Sequence, residues 1–364
     1  MARNWALAAA TLILLSGCGL NTPPSEARVR APEFVGGKAD WINTSPITLK
    51  EILRTHKTPD GKPVAAILVD FWEYTCINCI RTMPYLKEWN KRYSDKGLLI
   101  VGIHTPEFGF AHDGKHVAEA VKRFGLTYPI LVDSDHRNWD AYSNQYWPRH
   151  YLIDSRGYIV SDHAGEGGYS ETEREIQSLL KRYDPGVALP KVMDVVRETD
   201  RPDAVCYPVT GETYVGYERG QLGNRGGYRR DVAADYADTG RYEDGVPVAV
   251  GSWRATPEAL IHTSTRPDDA ILLRYHALDL YAVIKPEGGT PLRVYVTQDG
   301  KPLPVADKGA DILFDEQGRP YLNVDSPRMY AIAHNAKFGQ HVLGLSSPSS
   351  GFGLYSYTFG SCTE

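Results

Sequence analysis

At 364 residues the chain is long enough for two ordinary domains and too long for a single core. It is 42% hydrophobic and 23% charged, the balance of a globular protein, and its net charge of -5 with no basic patch excludes an electrostatic case for nucleic-acid binding. The 23 tyrosines, 34 glycines and 24 prolines suit strands and turns more than long helices.

The first segment reads as a targeting signal. Arg3 precedes an apolar run over residues 6–15, which is too short to span a bilayer. Beyond it no stretch approaches the roughly 18 apolar residues of a membrane helix. The run ends in Leu15-Ser16-Gly17-Cys18, which resembles the lipobox of bacterial lipoproteins. The resemblance implies a signal peptide over residues 1–17, cleavage before Cys18 and a membrane anchor through lipid on Cys18. Gly19 follows in place of an aspartate-type retention signal, which favours the outer membrane where one exists. Residues 18–40, punctuated by Pro23, Pro24 and Pro32, read as a flexible tether with a reach of roughly 25 Å.

From 41 to 187, short apolar runs alternate with helical periods. Residues 65–69, 98–101 and 130–132 read as strands buried on both faces. Met83 and Leu86 mark a helix face stopped by Gly97; Val117, Val121 and Phe124 mark another that ends at Gly125. Asp154-Ser155-Arg156-Gly157 reads as a hairpin turn, and Ser170 with Glu173 as a capping box opening a last helix. This order predicts an α/β domain, a mixed sheet with helices on both faces.

Cys76-Ile77-Asn78-Cys79 falls where the first buried strand gives way to a helix. A helix N-terminus stabilises a thiolate, and the i, i+3 spacing lets the second thiol close a disulfide across the turn. Cys76 is then the exposed nucleophile and Cys79 the thiol that resolves the mixed disulfide. A zinc site would need a second CxxC pair, which is missing, and a c-type haem site would need His at position 80, which is Ile. No metal and no cofactor beyond the redox-active pair is expected. A purely structural disulfide remains open at this point.

Val69-Asp70-Phe71-Trp72, three residues and then Cys76-Ile77-Asn78-Cys79, resembles the active-site segment of the thioredoxin superfamily. The resemblance implies that Asp70 is a buried proton acceptor for Cys79. It also implies that Trp72, Trp147 and a cis Pro148 shape the groove where substrate backbone docks, and that Pro84 kinks the helix. Within the superfamily the chain is most similar to the TlpA/ResA-like branch. The segments 72–82, His104-Thr105-Pro106-Glu107-Phe108 and Asn144-Gln145-Tyr146-Trp147-Pro148 look most like the soluble C-terminal part of DipZ-type proteins. Those proteins carry their own multi-helix electron carrier. This chain does not, which implies a separate membrane thiol-electron carrier of the CcdA/DsbD kind. The acid that ResA-like proteins carry three residues after the second Cys is Thr82 here, leaving Glu73 and Glu107 as candidate substrate-reading acids.

Over 188–364 the helical period fades and short strand-like runs recur, among them 213–215, 248–250, 270–273, 281–284, 292–296, 330–333, 341–343 and 354–359. They predict an all-β sandwich, which the DipZ-type resemblance narrows to a galactose-binding-like jelly roll. Cys206 and Cys362 bracket it and are expected to form a structural disulfide. Residues 216–245 read as a long polar loop. The expected function is reduction of disulfides in periplasmic proteins. The rivals are a thiol peroxidase, whose Thr would stand where Glu73 does, and a cell-envelope glycan- or protein-binding module with a secondary dithiol.

Overall fold

A computed structural model describes residues 29–362, so the expected signal peptide and Cys18 lie outside the described residues. Among the described residues no helix is long and apolar enough to cross a membrane.

The first domain is built from β1 (Trp41–Ile42), α1 (Leu49–Thr55), β2 (Ala66–Trp72), α2 (Ile77–Tyr93), β3 (Leu98–His104), α3 (Gly114–Phe124), β4 (Ile130–Val132), α4 (Arg137–Ala141), β5 (Arg149–Asp154), β6 (Ile159–Ala164) and α5 (Tyr169–Tyr183). The sheet order is β1-β4-β3-β2-β5-β6. Strands β2, β3 and β4 run parallel, whereas β5 is antiparallel to β2 and to β6. Every residue of β2 is buried. Ala66, Leu68 and Trp72 enter one core and Ile67, Val69 and Phe71 the other, which is why the strand reads as an apolar run interrupted only by Asp70.

The tether expected up to residue 40 ends earlier. From residue 29 the chain is docked on this domain: Val29 O accepts from Ile159 N at 2.9 Å. Phe34 is buried edge-on to Trp41, and Val35 exchanges two hydrogen bonds with the Asn138 side chain. Glu33 accepts from the first two backbone N–H groups of α1, satisfying donors that a helix start leaves orphaned.

The expected capping box is also replaced. Gly168, at φ 60°, precedes α5, and Glu173 is fully buried inside it. Its carboxylate accepts from the Tyr93 hydroxyl and from Met193 N, and pairs with Arg92 at 3.2 Å. Glu173 thereby fastens the segment after α5 to the first domain. Gln177 donates to Pro190 O, and Tyr85 accepts from Val196 N while donating to Asp200. The expected boundary at 187/188 therefore moves to about residue 205, because residues 188–200 stay bound to α2 and α5.

The second domain contains β7 (Thr213–Tyr214), β8 (Ala233–Tyr236), β9 (Val248–Ala255), β10 (Leu260–His262), β11 (Ala270–Pro286), β12 (Leu292–Gln298), β13 (Lys301–Pro302), β14 (Ile312–Phe314), β15 (Pro320–Val324), β16 (Arg328–Ser346) and β17 (Phe352–Gly360). All are antiparallel where paired, and they form one continuous eleven-stranded sheet. The long strands fold it into a sandwich. The first half of β11 lies between β9 and the second half of β16, which also pairs with β12. After an irregularity at Ala277/Asp279, the second half of β11 lies between β16 and β17. The polar segment 216–245 holds strand β8. It is pinned by buried Asn224, which donates to Ala237 O and Ala249 O and accepts from Ala249 N.

Cys206 and Cys362 are joined in the structure, 156 residues apart in sequence. In the chain-entropy picture a closed loop of that length contributes about 5 kcal/mol. It ties the entry of the domain to its last strand.

Candidate active site

Strand β2 ends at Trp72, and the chain turns through Glu73-Tyr74-Thr75 before α2 begins. Cys76 is the residue that caps α2. Its Sγ accepts from Cys79 N at 3.2 Å, and its carbonyl accepts from Ile80 N. A sulphur in that position faces the unpaired N–H groups of the first turn, at the positive end of the helix. Cys76 is half-buried and reachable, while Cys79, one turn further in, is only 2% exposed. Burial pushes the Cys79 thiol well above its ordinary range, and its neighbours Cys76 and Asp70 add to the effect. The two thiols are therefore unequal in the way an attacker and a resolver must be.

Asp70 is 1% exposed, on the same face of β2 as the core under α2. Its Oδ1 lies 3.2 Å from Nε2 of His150 on β5. The Trp147–Pro148 peptide is cis. The register Phe71↔Arg149 sets Pro148 level with Trp72, at the end of β2 from which the cysteine loop leaves. Gly165 N donates to Pro148 O at 2.8 Å and holds the following loop against it. Trp147 is half-buried against Trp139, with exposed Tyr146 beside it.

Two residues expected to touch substrate do not face it. Trp72 is 1% exposed and packs edge-on to His104, so it is core. Glu107 is spent on the junction between the domains: its Oε1 accepts from Tyr214 Oη at 2.7 Å and from Arg219 at 2.9 Å. Glu73, the other candidate acid, is fully buried. It accepts from the backbone and hydroxyl of Thr75 and lies 3.6 Å from buried His104, so it braces the loop from within.

What the sequence did not reveal is how the second domain sits on this site. Ile77, the first of the two residues between the cysteines, is buried in a cluster with Phe108, Ala259, Ile261, Val283, Met329 and Tyr355. Glu258 accepts from Gly109 N with both carboxylate oxygens at 3.0 Å. Arg81 pairs with Glu166 and lies over the Tyr281 ring. A cleft of about 800 Å³ remains between the domains, bordered by Arg81, Glu166, Arg197, Asp279 and Lys308. The start of α2 is thus clamped on one side by the sandwich, while Cys76 and Trp147 stay half-buried and Pro148 is buried.

Burial pushes the Glu107 carboxyl up to about 7, outweighing the Tyr214 hydroxyl and the Arg219 guanidinium. Its folded-state pKa is raised, so its contribution to stability is complete below the ordinary carboxylate range and is lost as pH rises through about 7. Glu107→Gln is therefore expected to gain stability relative to the parent as pH goes from 5 to 8. Denaturant midpoints at each pH check this, and a pH-independent difference would contradict it.

Comparison with known proteins gives the family of the chain. Residues 31–180 match the family model described as Redoxin, and 210–360 that described as Thioredoxin like C-terminal domain. The DipZ protein of Mycobacterium bovis is 32% identical over 362 residues, covering 95% of this chain and 45% of its own length. The chain thus spans less than half of that relative. The thiol-disulfide oxidoreductase YkuV of Bacillus subtilis is 31% identical over 149 residues, covering 41% of this chain and 93% of its own. The solution structure of a thioredoxin-like protein in the oxidized form, 28% identical, overlaps 43% of this chain and 98% of that one with a TM-score of 0.36. On the match to YkuV across its first domain, the chain belongs to the thioredoxin-like family of thiol-disulfide oxidoreductases.

Proposed function

We propose that the chain is a membrane-tethered reductase of protein disulfides on the periplasmic side of a bacterial membrane. The observation that carries this is the inequality of its thiols, a reachable Cys76 at the start of α2 and a sealed Cys79 one turn behind it. The Cys76 thiolate attacks one sulphur of a substrate disulfide and expels the other as a thiolate. Cys79 gives a proton to Asp70 and attacks Cys76, which releases the second substrate thiol and leaves Cys76–Cys79 oxidised. Trp147 and Pro148 flank the approach, and the sandwich on Ile77 restricts entry to that side. The substrate is then a disulfide on a protruding or unfolded segment.

Electrons return from a separate membrane carrier of the CcdA/DsbD kind, and lipid on Cys18 keeps the protein at the membrane, with the outer membrane favoured. The Leu15-Ser16-Gly17-Cys18 segment supports the anchor. Likeness to a family that works by dithiol exchange supports the chemistry. The test is reduction of insulin by the pre-reduced chain, with dithiothreitol as electron supply. Acceleration well above dithiothreitol alone is expected; no acceleration would sink the reading.

A further inference from the structure

Behind Cys79 stand two imidazoles that the exchange reaction does not yet use. Asp70, His150 and His163 occupy one register row on three neighbouring strands, Asp70 opposite His150 and His150 opposite His163. Residues directly opposed in antiparallel strands share a face, with Cβ atoms about 4.5–5.5 Å apart. This face is the one covered by α2, whose Cys79 enters the same core as Leu68, Trp72 and Leu152. Asp70 and His150 are 1% and 3% exposed, whereas His163 lies half-buried on the edge strand β6. The row therefore leads from the sealed interior to the margin of the sheet.

Its members carry hydrogen-bonding capacity that no protein group takes up: Oδ1 of Asp70, both ring nitrogens of His150 and Nε2 of His163. Oδ1 of Asp70 and Nε2 of His150 are 3.2 Å apart but off the line of a hydrogen bond. A core built only for stability does not keep a buried carboxylate and imidazole in that condition, because each unsatisfied group costs free energy. The other groups around the row are the Trp89 ring, 6.2 Å from His150, the Cys79 thiol, the Tyr128 phenol and Glu175 of α5, which accepts from Ser161 on β6.

We propose that Asp70, His150 and His163 form the path by which the Cys79 proton leaves and re-enters the core. The inference rests on the oxidoreductase reading. While Cys76 is bonded to the substrate sulphur, Asp70 takes the proton from Cys79. The new thiolate attacks Cys76 Sγ, the mixed disulfide breaks, the Cys76–Cys79 bond forms, and the substrate departs with the electron pair as a thiolate. The proton moves from Asp70 to His150 and on to His163 and solvent, and the departing thiolate takes up one from solvent. Two electrons have passed from the dithiol to the substrate. A neutral imidazole suits the middle position because it accepts at one nitrogen and donates from the other. His150 and His163 are neighbours by register and not by a direct bond, so one water completes that step. His150 and His163 are in this sense positioning residues, acting on Cys79 through Asp70.

The test uses the full reduced chain and one equivalent of an aromatic disulfide whose thiolate is coloured. Attack by Cys76 releases the first coloured thiolate and resolution by Cys79 the second, and stopped flow separates them between pH 5.5 and 8.5. His150→Asn is expected to leave the first release within about twofold and to slow the second by about 100-fold, the scale of a positioned acid–base group. Asp70→Asn should slow it as much, and the double variant no further, because the two residues act in one path. His163→Gln, at a half-buried edge position that tolerates change, should slow the second release about tenfold at low buffer and be restored by added imidazole. Unchanged second release in His150→Asn and His163→Gln overturns the path, as does equal slowing of both releases. If the unaltered chain gives no second release, the oxidoreductase reading itself fails and the path falls with it.

Discussion

Cys76→Ser is expected to lower the rate of exchange with a protein disulfide by about a thousandfold or more, because serine at that position is no nucleophile for sulphur. Cys79→Ser should behave differently. Cys76 still stands half-buried at the start of α2, so attack proceeds but release does not. The variant should accumulate as a covalent adduct with half of its substrate, cleaved by dithiothreitol and visible by intact mass. An exchange-competent Cys76→Ser chain, or a Cys79→Ser chain that traps nothing, would remove the assigned order of events. The asymmetry follows from burial: Cys79 is sealed in the core and its thiol is pushed well up, so an external disulfide reaches only Cys76.

The second large effect concerns the junction of the domains. Phe108 is 1% exposed, its ring is 5.5 Å from both Phe110 and Tyr355, and the Arg219 guanidinium lies over it at 5.1 Å. Phe108→Ala should cost about 3–5 kcal/mol, the usual range for emptying a buried aromatic site. Phe314→Ala, on an exposed ring of the sandwich, should change stability by less than about 0.5 kcal/mol. Denaturant unfolding of both variants checks the contrast. If Phe108→Ala is as mild as Phe314→Ala, the sandwich does not rest on the first domain as described. The junction matters to chemistry because Ile77 shares its cluster with Phe108. Loosening the junction frees the first turn of α2, which carries both cysteines, so a faster attack by small disulfides should accompany the loss of stability.

The centre of the site was legible in the amino-acid order because its signals are local. Residues 66–72 are apolar but for Asp70 since both faces are covered, and Cys76 follows where the strand gives way to a helix. Residues whose surroundings come from distant parts of the chain were misplaced. Phe34 and Val35 form an apolar pair too short to carry a period, yet Phe34 packs on Trp41 and ends the tether early. Trp72 stands where the family resemblance implies an active-site residue, and Glu107 was a candidate acid in place of the one that Thr82 replaces. Only packing against His104 in one case, and Tyr214 and Arg219 in the other, settles that they face inward. Strands β11 and β16 were each read as two, because polar residues near Asp279 and over 335–340 interrupt an apolar pattern that the backbone carries straight through. The pairing of Asp70 with His150 joins two strands far apart in sequence, and no local pattern announces it.

In the proposed function Cys76 and Cys79 form a redox couple poised to give electrons to protein disulfides. Its most direct test is the reduction potential of that couple in the full chain, equilibrated in defined dithiothreitol or glutathione buffers and read by thiol alkylation. A protein that gives electrons should show one two-electron transition near roughly -270 mV, in the range of a cellular reductant. A value near roughly -120 mV would make the protein a source of disulfides, and failure of the two cysteines to pair at any potential would contradict the account outright.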